Sequence, residues 1–537
     1  MKCFCNLLFI ILFFTATKCV AQNYPLQAYA TGGPDDIYTI RNISNSKDGC
    51  FYTTGSFTGT FIFQGETIST NYANGVYLAK FDYNVSLIWL KKIAENPSNT
   101  ITQSLISVDT AGNIIAALSF TDKLFFYGDS ISLNGLTGVE LMKLDSSGNR
   151  IWNNLIAGDR LGTKGLATDC NSNILVTGDL SDQIITSKYD TDCNLVWTRT
   201  AGGTNLPDYG YFIESDTAGN IFIAGLIQPS NSVYFDTCHL IIPSGAYKIS
   251  YLAKYSATGI IQWVRFIYSL TFAQYSVISS IKCLENGSVV IVGEYSDNFL
   301  RFSNGYSSVG PQQSGFSHSY LACFSTSGIR LWVKVPPNLG SGTDGNMELV
   351  INASSIFVIN SFTGTTANES DTIVGNGSND LLLEKFDLNG NLNSYVQFGG
   401  VSMDIGNDIM VNGNAIYIVG GTSSHPFNVN QNSFNHLNSN SAYVIKLLDN
   451  TVGLSENNNE QTFAVYPNPN DGEFIVELPQ VKGELTLIDL SGKVIYRSTE
   501  VAQQTLSIHQ PDLQNGIYFL RFVSADFNVI KKIVIAD

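Results

Sequence analysis

One phrase recurs along the first 450 residues of this 537-residue chain and constrains its fold more than any other feature. A short segment such as Tyr77-Leu-Ala-Lys ends in Lys (in one copy Cys323), and a Trp follows nine positions later. All five tryptophans of the chain occur in this phrase, at Trp89, Trp152, Trp197, Trp263 and Trp332. They lie 63, 45, 66 and 69 residues apart. A phrase that returns at such intervals indicates a repeat architecture.

Two weaker copies, beginning at Leu382 and Tyr443, bring the number of repeats to seven. Upstream of the phrase lies a turn such as Asp109-Thr-Ala-Gly-Asn-Ile, in which Gly supplies positive φ and Asp caps the bend. Each copy therefore predicts four antiparallel strands, a to d, with tight a–b and c–d turns and a long b–c loop. The predicted fold class is all-β: a seven-bladed β-propeller of four-stranded antiparallel blades plus a small C-terminal Ig-like β-sandwich.

The start of the chain predicts how the ring closes. Residues 28–33 resemble residues 197–203, which form a strand d and the loop after it, and the seventh copy stops near Asp449. Residues 24–33 are therefore expected to pair with the strand around Tyr443–Leu448. Such pairing would hide a sheet edge that otherwise invites aggregation.

The repeat resembles the bacterial seven-bladed propeller family known as SBBP repeats. Units of that family pair a Gly-Asn-type turn with a Lys-x-Asp-x-x-Gly-x-x-x-Trp phrase, and the resemblance covers about Asn23 to Asp449. Quinoprotein-type repeats with a docking Trp are the alternative, but they favour eight blades. Either resemblance implies a fold and not an activity.

The C-terminal stretch has a different pattern. Residues 451–461 are a polar linker, and residues 462–537 alternate as short strands without the Trp phrase. They resemble the type A C-terminal sorting domain of the type IX secretion system; a generic Ig-like adhesion domain is the alternative. The matching positions are Tyr466, Pro467, Asn468, Pro469, Gly472, Asp489, Gly492, Lys493, Gly516, Tyr518, Lys531 and Lys532. The resemblance implies the type IX machinery as partner, removal of the module after passage, and often attachment to surface lipopolysaccharide.

Residues 1–21 have the pattern of a secretory signal peptide. Lys2 precedes an apolar run from Leu7 to Phe14, and cleavage is expected after Ala21. A lipoprotein anchor on Cys19 is the alternative. No later segment reaches the roughly 18 uninterrupted apolar residues of a membrane span. The predicted domains are 1–21 signal peptide, 22–450 propeller repeats, 451–461 linker and 462–537 sorting domain.

The charge balance narrows the range of partners. The formal net charge is −16, which repels phosphate backbones and argues against nucleic acid. Five histidines and scattered cysteines without CxxC spacing predict neither a metal site nor a cofactor. Cys170 and Cys193 lie in the a–b and c–d turns of one repeat, at the same end of a blade. A disulfide between them is therefore predicted.

Three motif-like segments fail closer inspection. Residues 340–345 match GxGxxG but lie in a loop between strands rather than before a helix. Residues 190–194 begin like a calcium loop but lack its Gly and Glu. Residues 145–152 resemble a sialidase Asp-box with the wrong spacing. No Ser–His–Asp set, HExxH motif or paired catalytic carboxylates emerge.

Two residue sets have both a functional and a structural interpretation. Asp36, Asp208, Asp344 and Asp404 occupy similar positions in d-to-a loops, where they would either ring the channel mouth and hold a cation or polar ligand, or cap turns. The tryptophans would be either sugar platforms or blade-to-blade packing. Packing is favoured, because a ligand platform would not recur in five blades at one structural position.

The sequence thus predicts a non-enzymatic surface or secreted protein that binds a glycan or protein through its long b–c loops, for example 228–248 and 303–319. The alternative is a glycan-active or ester-cleaving hydrolase or lyase built on the same ring. Titratable residues clustered at the channel mouth would favour the enzyme, whereas an aromatic loop face would favour binding.

Overall fold

The structure of the chain is a computed structural model. It describes residues 20–21, 26–32, 39–98, 100–158, 161–203, 207–228, 232–242, 248–269, 275–296, 299–303, 306–309, 318–335, 347–368, 371–429, 432–434, 441–449, 464–466, 468, 470–477, 483–489, 493–501, 505–510, 513–524 and 528–536. The chain divides into an N-terminal domain, Met1–Asp449, and a C-terminal module, Asn450–Asp537. Within the described residues every regular element is a β-strand, and no helix is long and apolar enough to cross a membrane.

Among the described residues, the N-terminal domain contains seven successive antiparallel repeats, each of four main strands. The first strands are β1 (Val20–Ala21) and β2 (Leu26–Gly32). Repeat 1 contains β3 (Thr39–Asn45), β4 (Phe51–Phe57), β5 (Thr60–Phe63), β6 (Glu66–Ser69), β7 (Asn74–Phe81) and β8 (Leu87–Asn96). Repeat 2 contains β9 (Ile101–Val108), β10 (Ile114–Phe126), β11 (Asp129–Leu144) and β12 (Arg150–Gly158). Repeat 3 contains β13 (Gly162–Thr168), β14 (Ile174–Leu180), β15 (Gln183–Tyr189) and β16 (Leu195–Gly202).

The remaining repeats follow the same order, with an additional hairpin between their second and third main strands. Repeat 4 contains β17 (Tyr209–Ser215), β18 (Ile221–Ile227), β19 (Ser232–Phe235), β20 (Cys238–Ile241), β21 (Ile249–Tyr255) and β22 (Ile261–Tyr268). Repeat 5 contains β23 (Ser276–Cys283), β24 (Val289–Tyr295), β25 (Phe299–Phe302), β26 (Tyr306–Val309), β27 (His318–Phe324) and β28 (Arg330–Lys334). Repeat 6 contains β29 (Glu348–Ile351), β30 (Ser355–Phe362), β31 (Thr365–Asn368), β32 (Asp371–Val374), β33 (Asp380–Asp387) and β34 (Leu392–Gly399). Repeat 7 contains β35 (Asp404–Asn412), β36 (Ala415–Thr422), β37 (Phe427–Val429), β38 (Asn432–Phe434) and β39 (Ser441–Leu448).

The first strand of every repeat faces a shared central cavity. These inner strands are β3, β9, β13, β17, β23, β29 and β35, and each contacts the next in this order. Strand β35 also contacts β3, so that the order is cyclic. Together they line one cavity of about 580 Å³.

Strand β2 completes the last repeat. It pairs antiparallel with β39, in a register that places Leu26 opposite Leu447 and Gly32 opposite Ala442. The predicted pairing of the N-terminal segment with the strand around Tyr443–Leu448 is thereby confirmed. The first and seventh repeats are joined by backbone hydrogen bonds as well as by side-chain packing.

The apolar core lies between neighbouring repeats. For example, Leu141 of repeat 2 packs with Ile174 of repeat 3 in one buried cluster. The tryptophans lie at one edge of this core, and the indole N–H of three of them donates to a backbone carbonyl in the c–d turn of the next repeat. These bonds are Trp152 to Thr191 (3.3 Å), Trp197 to Ala257 (3.2 Å) and Trp263 to Thr326 (3.0 Å). The tryptophans therefore have the packing role favoured by the sequence.

The repeated lysine strengthens the same joint. Lys188 pairs with the buried Asp169 of its own repeat at 2.8 Å, and it also donates to the Ala257 carbonyl that Trp197 binds. In repeat 5 the lysine is replaced by Cys323, and the aspartate position of the a–b turn is occupied by Leu284. Both charges are thus missing from the same repeat, which avoids a buried unpaired charge.

The hairpins between the second and third main strands clasp the preceding repeat. In repeat 4, Tyr234 of the β19–β20 hairpin pairs with Gly202 of β16 in repeat 3. The same pairing occurs between β25 and β22, β37 and β34, β5 and β2, and β10 and β8. The long b–c loops expected to be open binding loops are therefore partly folded into inter-repeat contacts.

The predicted disulfide is absent, because Cys170 and Cys193 are free thiols that face opposite neighbours. Cys170 Sγ lies 3.7 Å from the Thr217 carbonyl of repeat 4. Cys193 Sγ lies 3.4 Å from Nδ2 of Asn154 in repeat 2. The two turns do share one end of the repeat, but the prediction neglected that their side chains project to opposite faces of the sheet.

The C-terminal module consists of two antiparallel sheets. Its strands are β40 (Ala464–Tyr466), β41 (Glu473–Glu477), β42 (Gly483–Asp489), β43 (Val494–Val501), β44 (Thr505–His509), β45 (Gly516–Ser524) and β46 (Asn528–Ile535). One sheet has the order β40-β41-β44, and the other β43-β42-β45-β46. Val476 of the first sheet and Leu485, Leu520 and Phe522 of the second share a single buried core.

Candidate functional site

The sequence motif at the start of the C-terminal module ties its first segment to its last strand. The Asn468 amide donates to the Lys532 carbonyl at 2.8 Å, and its Oδ1 accepts the Val534 N–H at 2.7 Å. Both lysines of the predicted motif, Lys531 and Lys532, lie on β46. Asn468 therefore has a structural reason to occupy this position.

Other motif positions form turns of the same module. Asp489 Oδ1 accepts the Lys493 N–H at 3.0 Å, closing the hairpin between β42 and β43. The Tyr518 hydroxyl donates to the Gln514 carbonyl at 3.0 Å. Gly472 has φ +100, and Gly516 begins β45 opposite Ile535. Tyr466 ends β40, whereas Pro467, Pro469, Gly492, the linker and all but the end of the signal region (Val20–Ala21) lie outside the described residues.

The four loop aspartates do not form the ring expected at the channel mouth, as far as the structure describes them. Asp36 and Asp344 lie outside the described residues. Asp208 and Asp404 are fully buried and are absent from the lining of the central cavity. Asp208 accepts the Gly203 and Gln228 N–H groups at 2.6 and 2.8 Å. Both aspartates cap turns, which was the structural alternative.

Six charged side chains among the described residues line the central cavity: Arg41 of β3, Lys164 of β13, and four that come from consecutive inner strands. Glu214 of β17 and Lys282 of β23 form an ion pair at 2.9 Å. Asp408 of β35 accepts the Asn42 side-chain amide at 2.6 Å and the Ile43 N–H at 2.9 Å. Glu348 of β29 stands between these two pairs in the strand order. The cluster thus links repeats 4 to 7 and reaches repeat 1.

The electrostatic environment gives Glu348 of repeat 6 and Asp408 of repeat 7 different pKa values. Enclosure and the neighbouring Asp408 raise the pKa of Glu348 to about 8. Enclosure also raises the pKa of Asp408 to about 6, but hydrogen bonds from the Ile43 and Ile409 N–H groups limit the increase. Although enclosure opposes it, the Glu214 carboxylate raises the pKa of Lys282. At neutral pH the pair can therefore hold one proton and one negative charge.

A groove of about 430 Å³ lies where the outer strand of repeat 1 meets the hairpin of repeat 2. The ring of Tyr72, which is 38% exposed, stacks on Phe125 with a centroid distance of 4.8 Å. Lys92 and Glu95 form an ion pair at 2.8 Å in the same groove. An aromatic surface and charged hydrogen-bonding groups are thus side by side.

A second groove, of about 520 Å³, occupies the corresponding junction of repeats 3 and 4. Tyr234 is 51% exposed and stacks on His239 at 4.6 Å. Arg199 lies 4.0 Å from Asp236. The two grooves have different sequences but the same combination of an exposed tyrosine and an opposite-charge pair.

Sequence analysis missed the cavity cluster and both grooves. A signal for the cluster exists: Glu214 and Lys282 lie two residues before the first residue of the a–b turn, and Glu348 and Asp408 lie four before it. Charged residues inside otherwise apolar strands mark these positions. The grooves carry no comparable signal, because their hairpins share no repeated phrase.

Comparison with protein families decides the nature of the C-terminal module. The family model of the secretion system C-terminal sorting domain matches residues 464–536. The module is a type IX secretion sorting domain. This sorting domain marks proteins that are exported to the cell surface or the extracellular space, so the chain is an exported protein and the type IX machinery is its partner during export.

Outside the sorting domain the similarities are distant. The chain is 28% identical over 177 residues to an uncharacterised WD repeat-containing protein of Acanthamoeba polyphaga mimivirus, covering 31% of this chain and 12% of that relative. A protein of unknown function from Dyadobacter fermentans is 10% identical, with coverage of 79% and 99% and a TM-score of 0.38. The polysaccharide lyase Uly1 is 7% identical, with coverage of 81% and 93% and a TM-score of 0.39. PorZ, a type IX secretion component of Porphyromonas gingivalis, is 10% identical, with coverage of 95% and 100% and a TM-score of 0.17.

Proposed function

We propose that residues 22–449 form a seven-bladed β-propeller of the SBBP type that binds a glycan or protein ligand after the sorting domain has delivered it outside the cell. The binding sites are the grooves between neighbouring repeats. The sorting domain is an Ig-like β-sandwich that serves delivery and takes no part in binding.

Three observations support the propeller. The inner strands contact one another in cyclic order around one cavity, and β2 and β39 join the first and last repeats. The indole joints bind successive repeats at one structural position. A relative of part of the chain is named for WD repeats, which build propeller blades.

The observation that carries ligand binding is the recurrence of an exposed tyrosine beside an opposite-charge pair in two corresponding grooves. Tyr72 and Tyr234 each stack on a second ring, which holds the exposed face in a fixed orientation. An aromatic face binds the apolar face of a sugar ring, and the neighbouring charges bind its hydroxyl groups. Two grooves on one ring favour a polymer that reaches both, because the second contact is then intramolecular.

The proposal is tested by probing glycan and protein arrays with the mature chain and with a Tyr72→Ala/Tyr234→Ala double variant. We expect the double variant to bind the best ligand at least about tenfold more weakly, from lost stacking and lost bivalency. The affinity of each single variant should lie between that of the wild type and that of the double variant.

The matched control is an Ile260→Ala/Ile329→Ala variant. These side chains are 61% and 60% exposed, and they lie in c–d turns without lining either groove. The control should bind like the wild type. Equal binding by the tyrosine variant and the wild type would contradict the proposed grooves.

A second candidate function is a propeller-based glycan-active or ester-cleaving hydrolase or lyase, which the Glu348–Asp408 pair favours. Two carboxyls with separated pKa values suit general acid and general base roles. Binding is preferred because Asp408 and Lys282 are already engaged within the cavity. Turnover of an array-identified ligand, lost in Glu348→Gln, would establish the enzyme instead.

The proposed route of export begins with residues 1–21 as a signal peptide that is cleaved after Ala21. The type IX machinery then moves the chain outward by means of residues 462–537, which are removed after passage. Attachment to surface lipopolysaccharide would retain the ring on the cell. Intact-mass analysis of the surface form tests both cleavages.

A further inference from the structure

Two buried aspartates meet at the junction of repeats 6 and 7. Asp380 begins β33 and Asp404 begins β35, and both side chains are fully buried. A bridge between Asn379 and Met403 holds the two strand starts together. A methyl group on Gly399 would collide with Asp380 Oδ1 and lie 3.0 Å from Asp404 Oδ2. The two carboxyls therefore converge on the side of Gly399 that lacks a side chain.

The hydrogen bonds of the two carboxyls are unequal. Asp404 accepts the Gly400 N–H at 2.8 Å and the Ser424 hydroxyl at 2.7 Å, as well as the Thr422 hydroxyl. Asp380 accepts the Asn376 and Gly377 N–H groups through Oδ2 alone, at 2.5 and 3.1 Å. Its Oδ1 is buried without a partner.

The residue before Asp380 also carries an oxygen without a partner. Oδ1 of Asn379, the residue before Asp380, is buried and accepts no hydrogen bond among the described residues. A buried acceptor without a hydrogen bond destabilises a fold, and a carboxylate does so more than a neutral oxygen. Two such oxygens, on the consecutive residues Asn379 and Asp380, destabilise the fold unless a ligand binds them.

No positive side chain compensates the two carboxyls. Within the described part of the chain, neither Asp380 nor Asp404 pairs with a lysine, arginine or histidine. Burial, with mutual repulsion in the case of Asp380, raises the pKa of both groups. The site thus requires a cation or a proton.

The junction of repeats 3 and 4 has the same turn-capping aspartate but lacks a counterpart of Asp380. Gly202 and Asp208 correspond to Gly399 and Asp404, but the first residue of β15, at the position of Asp380, is Gln183. Both oxygens of Asp208 accept backbone N–H groups, and none is left over. Asp380 is therefore an addition to a turn-capping arrangement that is complete without it.

We propose that Asp380, Asp404 and Asn379 form a cation site that binds Ca²⁺ between repeats 6 and 7. Carboxylate and amide oxygens are the ligands that Ca²⁺ prefers, and its variable coordination suits a site built from loop and strand ends. The cation joins the start of β33 to the start of β35 and so fixes the last repeat to its neighbour.

The test uses the full chain, stripped with a chelator and returned to Ca²⁺ at constant ionic strength. We expect a saturable increase in melting temperature, at least about 2 °C at a hundredfold excess over Kd. Asp380→Asn should abolish the increase. In the absence of Ca²⁺ this variant should melt above the wild type, because it removes one of two repelling charges.

Asp208→Asn is the matched control, because it changes the corresponding turn cap where Gln183 takes the place of Asp380. It should lower the melting temperature but keep the Ca²⁺-dependent increase. Calorimetric titration with Ca²⁺ should show one site in the wild type and in Asp208→Asn, and none in Asp380→Asn. A wild type that binds no Ca²⁺, with a pH dependence of melting that Asp380→Asn removes, would show a shared proton and overturn the proposal.

Discussion

At the scale of the residue, recurrence separates what the sequence predicts from what it does not. Trp197 and Trp263 occupy one position in a repeated phrase, so their packing role follows from repetition itself. Glu348 and Asp408 were missed because each occurs once, in a strand whose other copies carry different residues. Cys170 and Cys193 were misjudged because turn position specifies an end of the sheet but not the face to which a side chain projects.

Truncation of a tryptophan that links two repeats should destabilise the N-terminal domain. Trp263 is 8% exposed, and its N–H binds the Thr326 carbonyl at 3.0 Å. We expect Trp263→Ala to lower the free energy of unfolding by about 3–5 kcal/mol, from lost packing and an unsatisfied carbonyl. Urea unfolding of the mature chain measures it. Ile260→Ala, an exposed neighbour, should change the same quantity by less than about 0.5 kcal/mol, and equal effects would refute the joint.

The cavity carboxyls should make stability depend on pH. The pKa of Glu348 in the folded chain is about 8, above its ordinary value of 4.5, so the folded state holds the proton more tightly than the unfolded state. The contribution of Glu348 to the free energy of unfolding is fully present below about pH 4.5 and is lost as the pH rises to about 8. The melting temperature should therefore fall over this range, and less steeply in Glu348→Gln. Glu285→Gln, an exposed turn variant, should keep the wild-type slope.

At the scale of the element, tight turns were easier to predict than hairpins. Asp-x-x-Gly turns carry their geometry in their residues, and Gly112 and Gly219 have the expected positive φ of +87 and +79. The clasp hairpins have no common phrase, and their partners are strands of another repeat. Local patterns cannot specify such pairing, because it depends on how close successive repeats pack.

Strand β2 should behave as a separable closing element. Deletion of residues 22–33 removes the backbone partner of β39 and should lower the melting temperature of the whole N-terminal domain. A synthetic peptide of residues 23–33 should restore part of the loss by pairing with the exposed edge. A scrambled peptide is the control. Equal melting of the deletion variant and the wild type would contradict the role of β2.

At the scale of the whole molecule, the sequence predicted how the protein is exported better than it predicted which ligand the protein binds. The sorting motif matches a family over residues 464–536, and several of its residues form turns or tie strands of one module. The proposed ligand surface has no such pattern, since Tyr72 lies in the bend between β6 and β7 whereas Tyr234 lies in the β19–β20 hairpin. The central carboxyls and the grooves therefore had to be located in three dimensions.

The sorting domain should be required for delivery and not for folding of the ring. The boundary between the domains falls at Asp449, and each has its own buried core. A chain ending at Asn450 should accumulate in the periplasm, folded and protease-resistant. Fractionation with intact-mass analysis measures this. Wild-type amounts of the truncated chain at the cell surface would show that the address lies elsewhere.

The pairing of β2 with β39 means that the N-terminal domain can close only when residues from both of its ends are present. Residues 26–32 emerge first, yet their partner residues 442–447 are more than four hundred positions downstream. A chain cut short anywhere between them leaves β2 without its partner strand and the cyclic order of repeats open. Only a chain translated through its last repeat can close, and the sorting domain follows immediately after that repeat. A chain that stops before its last repeat therefore lacks both the partner of β2 and the export address.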